Sequence, residues 1–203
     1  MSSAQAATII VNDFGDVSRD DACTFRDANF SATFDEARNG DGNPTGCIAG
    51  DGADIIRFNN ISPQTINLTS AAVVIQTDST IIGNAHAPIA IDGSLNRSNP
   101  DIINSSTNVL VVTGGATATL DHITIQQSRN SGIVVGESSF LTIRNSNIIN
   151  NEGSGINVVG DNTRVLIDRS TIAFNGDSSL DGGGVRSMAV SYTHLTLPTI
   201  YSV

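Results

Sequence analysis

Leu120-Asp-His-Ile-Thr-Ile125, Ile143-Arg-Asn-Ser-Asn-Ile148 and Ile167-Asp-Arg-Ser-Thr-Ile172 are three versions of one motif, and their spacing decides the fold. The copies begin at positions 120, 143 and 167, at intervals of 23 and then 24 residues. Apolar stretches between them keep the same interval: Val109-Leu-Val-Val112, Ile133-Val-Val135 and Ile156-Asn-Val-Val159. Ser-Gly-Ile stands at 131–133 and again at 154–156. Asn150-Asn151 and Asn175 fall at matching turn positions just after the motif, which reads as the longer strand of each repeat.

A period of this length with short strands and no helical pattern leaves few architectures. Leucine-rich repeats share the length but need a dense Leu-x-x-Leu-x-Leu frame, which is missing, and propeller blades need about 40 residues each. An antiparallel sandwich would not keep the repeat in phase. One turn of a right-handed parallel β-helix fits, with about three short strands per coil joined by tight turns. Successive coils stack at ~4.8 Å, so equivalent apolar side chains pile into ladders. Asn and Gly at the corners suit left-handed backbone conformations. The fold class expected is therefore all-β, a solenoid with an N-terminal cap.

Working outward, Ala72-Val-Val-Ile75, Thr80-Ile-Ile82 and Ile89-Ala-Ile-Asp-Gly93 read as an earlier, less regular coil. Asp54-Ile-Ile-Arg-Phe58 and Thr65-Ile-Asn-Leu68 supply the first. About five coils are expected over residues 55–189, a stack of roughly 20–25 Å. Residues 8–54 differ: Thr8-Ile-Ile-Val11 is a strand and Phe25 to Arg38 has room for a short helix. This segment is expected to cap the open first edge of the solenoid.

Aromatic residues are only 4% of the chain, so the core must be aliphatic. All ten basic residues are Arg, against 20 acidic ones, for a net charge of -10. That balance repels polyanions, so no nucleic-acid partner is expected. No stretch approaches the ~18 apolar residues of a membrane span. Cys23 and Cys47 enclose the loop Asn39-Gly-Asp-Gly-Asn-Pro-Thr-Gly46, which has little apolar surface to hold it. A disulfide between them is expected, contributing roughly 3 kcal/mol and fitting an exported protein; two unrelated thiols are the alternative. With no nearby His, the pair makes no zinc site.

Ala7-Thr-Ile-Ile-Val-Asn12, Ala22-Cys-Thr-Phe-Arg-Asp-Ala-Asn29 and Cys47-Ile-Ala-Gly-Asp-Gly-Ala-Asp-Ile-Ile-Arg-Phe58 together resemble the N-terminal region of CSLREA-domain proteins. Cys23, Arg26 and Ala28 match that family's Cys-Ser-Leu-Arg-Glu-Ala motif, while Thr24, Phe25 and Asp27 replace its Ser, Leu and Glu. The resemblance covers residues 7–58 and implies an exported or surface-anchored bacterial protein with a β-helix stalk, in a family mostly without demonstrated enzymatic activity. In this setting Cys23, Arg26 and Asp27 form a cap motif. Arg26 is expected to meet a carboxylate there or to stay solvated, with Phe25 and Phe58 packing on the first coil.

Both ends carry signs of their own. Ala4-Gln5-Ala6 is the small-x-small pattern that precedes a signal-peptidase cut, so residues 1–7 read as the remnant of a leader. Val190-Ser-Tyr-Thr-His-Leu-Thr-Leu-Pro-Thr199 is the translation of GTC TCT TAT ACA CAT CTG ACG CTG CCG ACG. That DNA resembles the adapter of transposon-based sequencing libraries, so residues 190–203 read as an artefactual tail. On that reading the coils continue beyond Ala189, and the chain as written is expected to be marginally stable and prone to aggregate at its open last coil.

Polysaccharide lyases and hydrolases also use β-helices, so the aligned coils are where such chemistry would sit. Asp121, Arg144 with Asn145, and Asp168 with Arg169 fall at neighbouring stacked positions beside His122. A hydrolase needs several converging carboxylates; a lyase needs Ca²⁺ ligands and a strong base. Alternating signs on an outward face favour simple mutual screening. Asp121, Asn145 and Asp168 are kept as glycan-contacting candidates, with no catalytic residue assigned. Calcium is a minor option at Asp177–Gly184 or in the Asn39–Asn43 loop, and no cofactor motif is present. The expected function is a monomeric, non-enzymatic surface module, a stalk or adhesin-like contact for extracellular glycans. The alternative is a pectin-degrading type of lyase or glycoside hydrolase.

Overall fold

The computed structural model describes residues 6–95, 107–176 and 183–188. The tail from 190, Ala4 and Gln5 of the small-x-small triplet, and Asp177 to Asp181 and Gly182 of the second calcium candidate lie outside these residues. Three parallel sheets run along the described chain. The first contains β1 (Thr8–Val11), β2 (Asp54–Phe58), β5 (Ser79–Ile82), β8 (Thr117–Asp121), β11 (Phe140–Arg144) and β14 (Arg164–Asp168). The second contains β3 (Gln64–Asn67), β6 (Ile89–Asp92), β9 (Ile123–Gln126), β12 (Asn147–Ile149) and β15 (Thr171–Ala173). The third contains β4 (Val73–Ile75), β7 (Leu110–Val112), β10 (Ile133–Val135), β13 (Ile156–Val158) and β16 (Val185–Ser187). From β2 onward, each consecutive trio of strands is one coil of a parallel β-helix.

The motif expected to form one longer strand is two strands meeting at a corner. His122, Asn145 and Arg169 sit at that corner with φ of 58, 48 and 45°. One left-handed residue turns the chain sharply without a loop. A second set of corners, Gln127, Asn150 and Phe174, repeats the device with φ of 58, 55 and 56°. Val73–Ile75 also moves relative to the sequence reading: it closes the first coil rather than opening the second.

Inward side chains stack in register. Ile9, Ile56, Ile81, Leu120, Ile143 and Ile167 form one ladder. Ile66, Ile91, Ile125, Ile148 and Ile172 form another, its first four members fully buried. Each buried Ile contributes roughly 1.5–3 kcal/mol, and the narrow interior takes stacked aliphatics without large rings. Polar ladders hold the corners. Asn151 Oδ1 accepts from the backbone N–H of Ser128 at 2.9 Å, and Asn175 Oδ1 accepts from that of Asn151 at 3.0 Å. The repeated Ser-Gly-Ile follows from this ladder: a Cβ on Gly132 would stand 2.7 Å from Asn151 Nδ2, and one on Gly155 2.7 Å from Asn175 Nδ2.

The cap grows from the same solenoid. Its strand β1 is already a rung, paired in parallel with β2. Thr24 then starts α1 (Phe25–Phe34), accepting from the Asp27 N–H at 3.1 Å while its hydroxyl donates to Asp27 Oδ2 at 2.8 Å. Thr24 and Asp27 stand at the N-cap and N3 positions of a capping box, but the Asp27 carboxylate takes the Thr24 hydroxyl rather than its backbone N–H. The helix ends at Asp35, whose φ of 55° breaks it. It covers the free edge of the third sheet, where Asn29 Nδ2 donates to the Val74 carbonyl at 2.8 Å. Phe25 is buried against Phe58 with ring centroids 5.7 Å apart. Cys23 and Cys47 are joined by a disulfide with Cα atoms 4.6 Å apart.

Candidate functional site

Three places carry enough chemistry to be weighed: the outer corner of the first sheet, the cap motif, and a cleft beside α1. At the corner, Asp121, Arg144 and Asp168 stand in one register column. Going toward the cap, the column continues to Ile82 and Arg57. Asn145 belongs to the next column, at the left-handed corner with His122 and Arg169. The motif alignment likewise sets Asn145 level with His122 and Arg169, one position past the two acids.

The side chains nevertheless meet across the columns. Asp121 Oδ1 accepts from Asn145 Nδ2 at 2.8 Å and lies 2.8 Å from His122 Nδ1. Asp168 pairs with Arg169 at 3.1 Å. Two rungs separate Asp121 from Asp168, about 10 Å of stack, and Arg144 occupies the rung between them. The column therefore alternates acid, base, acid, and each acid already has a partner. Among the described residues, no three His, Cys, Asp or Glu side chains are grouped so as to hold a metal ion.

In the cap motif, Arg26 has a clear structural task. Its Nε and Nη2 donate to the two oxygens of Asp16 at 3.0 and 3.2 Å, and Nη2 also donates to the Ala71 carbonyl at 2.9 Å. Asp16, its side chain 1% exposed, accepts in addition from the Thr69 N–H at 2.8 Å. The pair pins the cap to the turn between β3 and β4. In the Asn39–Asn43 loop, Asn39 Oδ1 accepts from the N–H groups of Asp41 and Asn43 at 3.0 and 2.9 Å, so that oxygen shapes the loop itself.

The cleft was not anticipated from sequence. It encloses about 440 Å³ between α1, residues 39–41 and β4. Phe30 and Phe34, one helical turn apart, form its aromatic wall with ring centroids 4.4 Å apart, and Phe34 is 55% exposed. Asn29, Asn39, Asp41 and Gln76 line it as well. The signal available is two Phe at i, i+4 on a short helix of five apolar and five polar residues. Sequence alone does not reveal the cleft, because the opposite wall comes from β4, more than 35 residues further along the chain.

A family profile described as right handed beta helix region matches residues 17–197. No curated protein and no solved structure matches the chain. Among the described residues, no helix is long and apolar enough to cross a membrane.

Proposed function

The chain belongs to the right-handed β-helix family, and from that premise we propose that it is a non-enzymatic module of an exported or cell-surface bacterial protein. Its work is to present a rigid stalk whose surface contacts extracellular glycans. The observation that carries this reading is the charge-alternating column Asp121–Arg144–Asp168. An inverting glycosidase needs two carboxylates about 6.5–9.5 Å apart with room for sugar and water between them. Here Arg144 fills the intervening rung. Asp121 is engaged by Asn145 and His122, and Asp168 by Arg169. Opposite charges on adjacent rungs screen one another, which is the ordinary requirement of an outward sheet face.

The cap supports the exported setting. A disulfide persists in oxidising compartments, and Cys23–Cys47 secures a loop that has few apolar contacts of its own. The resemblance of residues 7–58 to CSLREA-domain proteins points the same way.

Incubation of the full chain with polygalacturonate, pectin and alginate, with and without calcium, tests the proposal. No new reducing ends and no unsaturated uronate are expected. Turnover that disappears in Asp121→Asn or Asp168→Asn would replace this reading with the polysaccharide lyase or hydrolase.

A further inference from the structure

We infer that the cleft between α1, the 39–41 loop and β4 is a binding site for an uncharged hexopyranosyl unit of a glycan. The inference rests on the reading of the chain as a glycan-contacting module and assigns that contact to the cap rather than to the Asp121–Asp168 face. Its volume of about 440 Å³ lies within the range of small-molecule sites.

The wall chemistry selects the ligand. A pyranose ring has an apolar C–H face and a girdle of hydroxyls that both donate and accept. Its apolar face needs a flat aromatic partner, and Phe34 presents one at the cleft, held against Phe30. With 55% of its surface exposed, the Phe34 ring is open to a ligand at the cleft. The hydroxyls need amide and carboxylate partners that differ in polarity, and Asn29, Asp41 and Gln76 supply them around the same cleft.

Asn29 adds an independent pointer. The residue is 8% exposed, its Nδ2 is committed to the Val74 carbonyl, and its buried Oδ1 has no donor. A buried acceptor without a partner costs ~1–3 kcal/mol; that oxygen is closed to solvent, so a ligand hydroxyl meets it once the Asn29 side chain turns toward the cleft.

Charge separates an uncharged sugar from a uronate. Arg26 is the cationic residue of the lining, and Asp16 holds it in two hydrogen bonds. Asp27 and Asp41 lie on the same walls, in a chain of net charge -10. A carboxylate ligand would meet repulsion with no free cation to offset it.

Native gels cast with galactan, mannan or a β-glucan, beside gels cast with polygalacturonate, read the binding directly. At least one uncharged polymer is expected to retard the full chain, and polygalacturonate less. Phe34→Ala, a surface change that leaves the fold intact by circular dichroism, is expected to weaken retardation roughly tenfold. Phe174→Asn, which removes an exposed Phe from the opposite end of the stack, is expected to leave it unchanged. Three results would overturn the inference: no retardation by any uncharged polymer, retardation equal in Phe34→Ala, or preference for polygalacturonate. Uncharged-polymer binding that survives Phe34→Ala keeps the module reading and removes only this site, whereas polyuronate turnover removes the module reading itself.

Discussion

In the coils between residues 117 and 176, a recurring set of side-chain hydrogen bonds reaches a counterpart 23 or 24 residues away. Ser128 to Asn151, Ile123 to Ser146, and Asn151 to Asn175 all follow that rule. In the cap the corresponding bonds span 45 to 54 residues: Arg26 to Ala71, Asn29 to Val74, Asp16 to Thr69 and Ser70. A coil is stabilised by the same contact made again, so any one contact is partly backed by its neighbours above and below. The cap is stabilised by contacts made once. Repetition spreads a loss, whereas a unique anchor concentrates it.

Removing the anchor is the strongest test of that contrast. Asp16→Ala strips both hydrogen bonds from Arg26 and the acceptor from the Thr69 N–H. Breaking a buried pair from one side costs about 3–5 kcal/mol. Because Arg26 keeps a side chain 29% exposed, water recovers part of this, and the low end, about 3 kcal/mol, is expected. The midpoint of urea unfolding, with the disulfide intact, reads the loss. A change below about 1 kcal/mol would assign the cap's attachment to Phe25, Phe58 and the disulfide instead.

The coil-side counterpart should be milder. Asn151→Ala leaves the Ser128 N–H without its acceptor and Asn175 Oδ1 without one donor, in a residue 2% exposed. One orphaned buried donor costs ~1–3 kcal/mol, and about 2 kcal/mol is expected by the same unfolding measurement. Should Asn151→Ala prove more costly than Asp16→Ala, the ladder would be the molecule's weak point and the contrast would reverse.

The same contrast explains what could be read from sequence. The parallel coils were legible because Ile143, Leu120 and Ile167 repeat in phase and must share a ladder. The corners were less so: a residue such as His122 or Arg169 carries no signature of left-handed backbone, since packing on either side imposes the conformation. The alignment sets Asn145 level with His122 and Arg169, yet nothing in those three residue types says that all of them turn the chain at positive φ. Arg26 and Phe25 were recognised through the resemblance of their segment, but Asp16 as the partner of Arg26 was not. Nothing in the spacing of Asp16 and Thr69 announces that a turn brings them together. The Phe30–Phe34 wall failed to register for a similar reason, because its other wall, Val74 and Gln76, is set by where α1 lies on the first coil.

Phe174 is where repetition works against a single residue. It occupies the corner held by Gln127 and Asn150 in the two coils before it, with φ of 56°, and is 84% exposed. A bulky side chain at positive φ costs roughly 1–2 kcal/mol, and so exposed a ring recovers little of that by burial. Asn tolerates the conformation far better, and the preceding coil already uses it at Asn150. Gly would relieve the strain too, but it gains freedom in the unfolded chain and so returns less. Phe174→Asn is therefore expected to stabilise the chain by about 0.5–1 kcal/mol, the smallest of these effects and the only one with this sign. A lower unfolding midpoint for Phe174→Asn would mean that the ring has a partner worth more than the backbone strain it imposes.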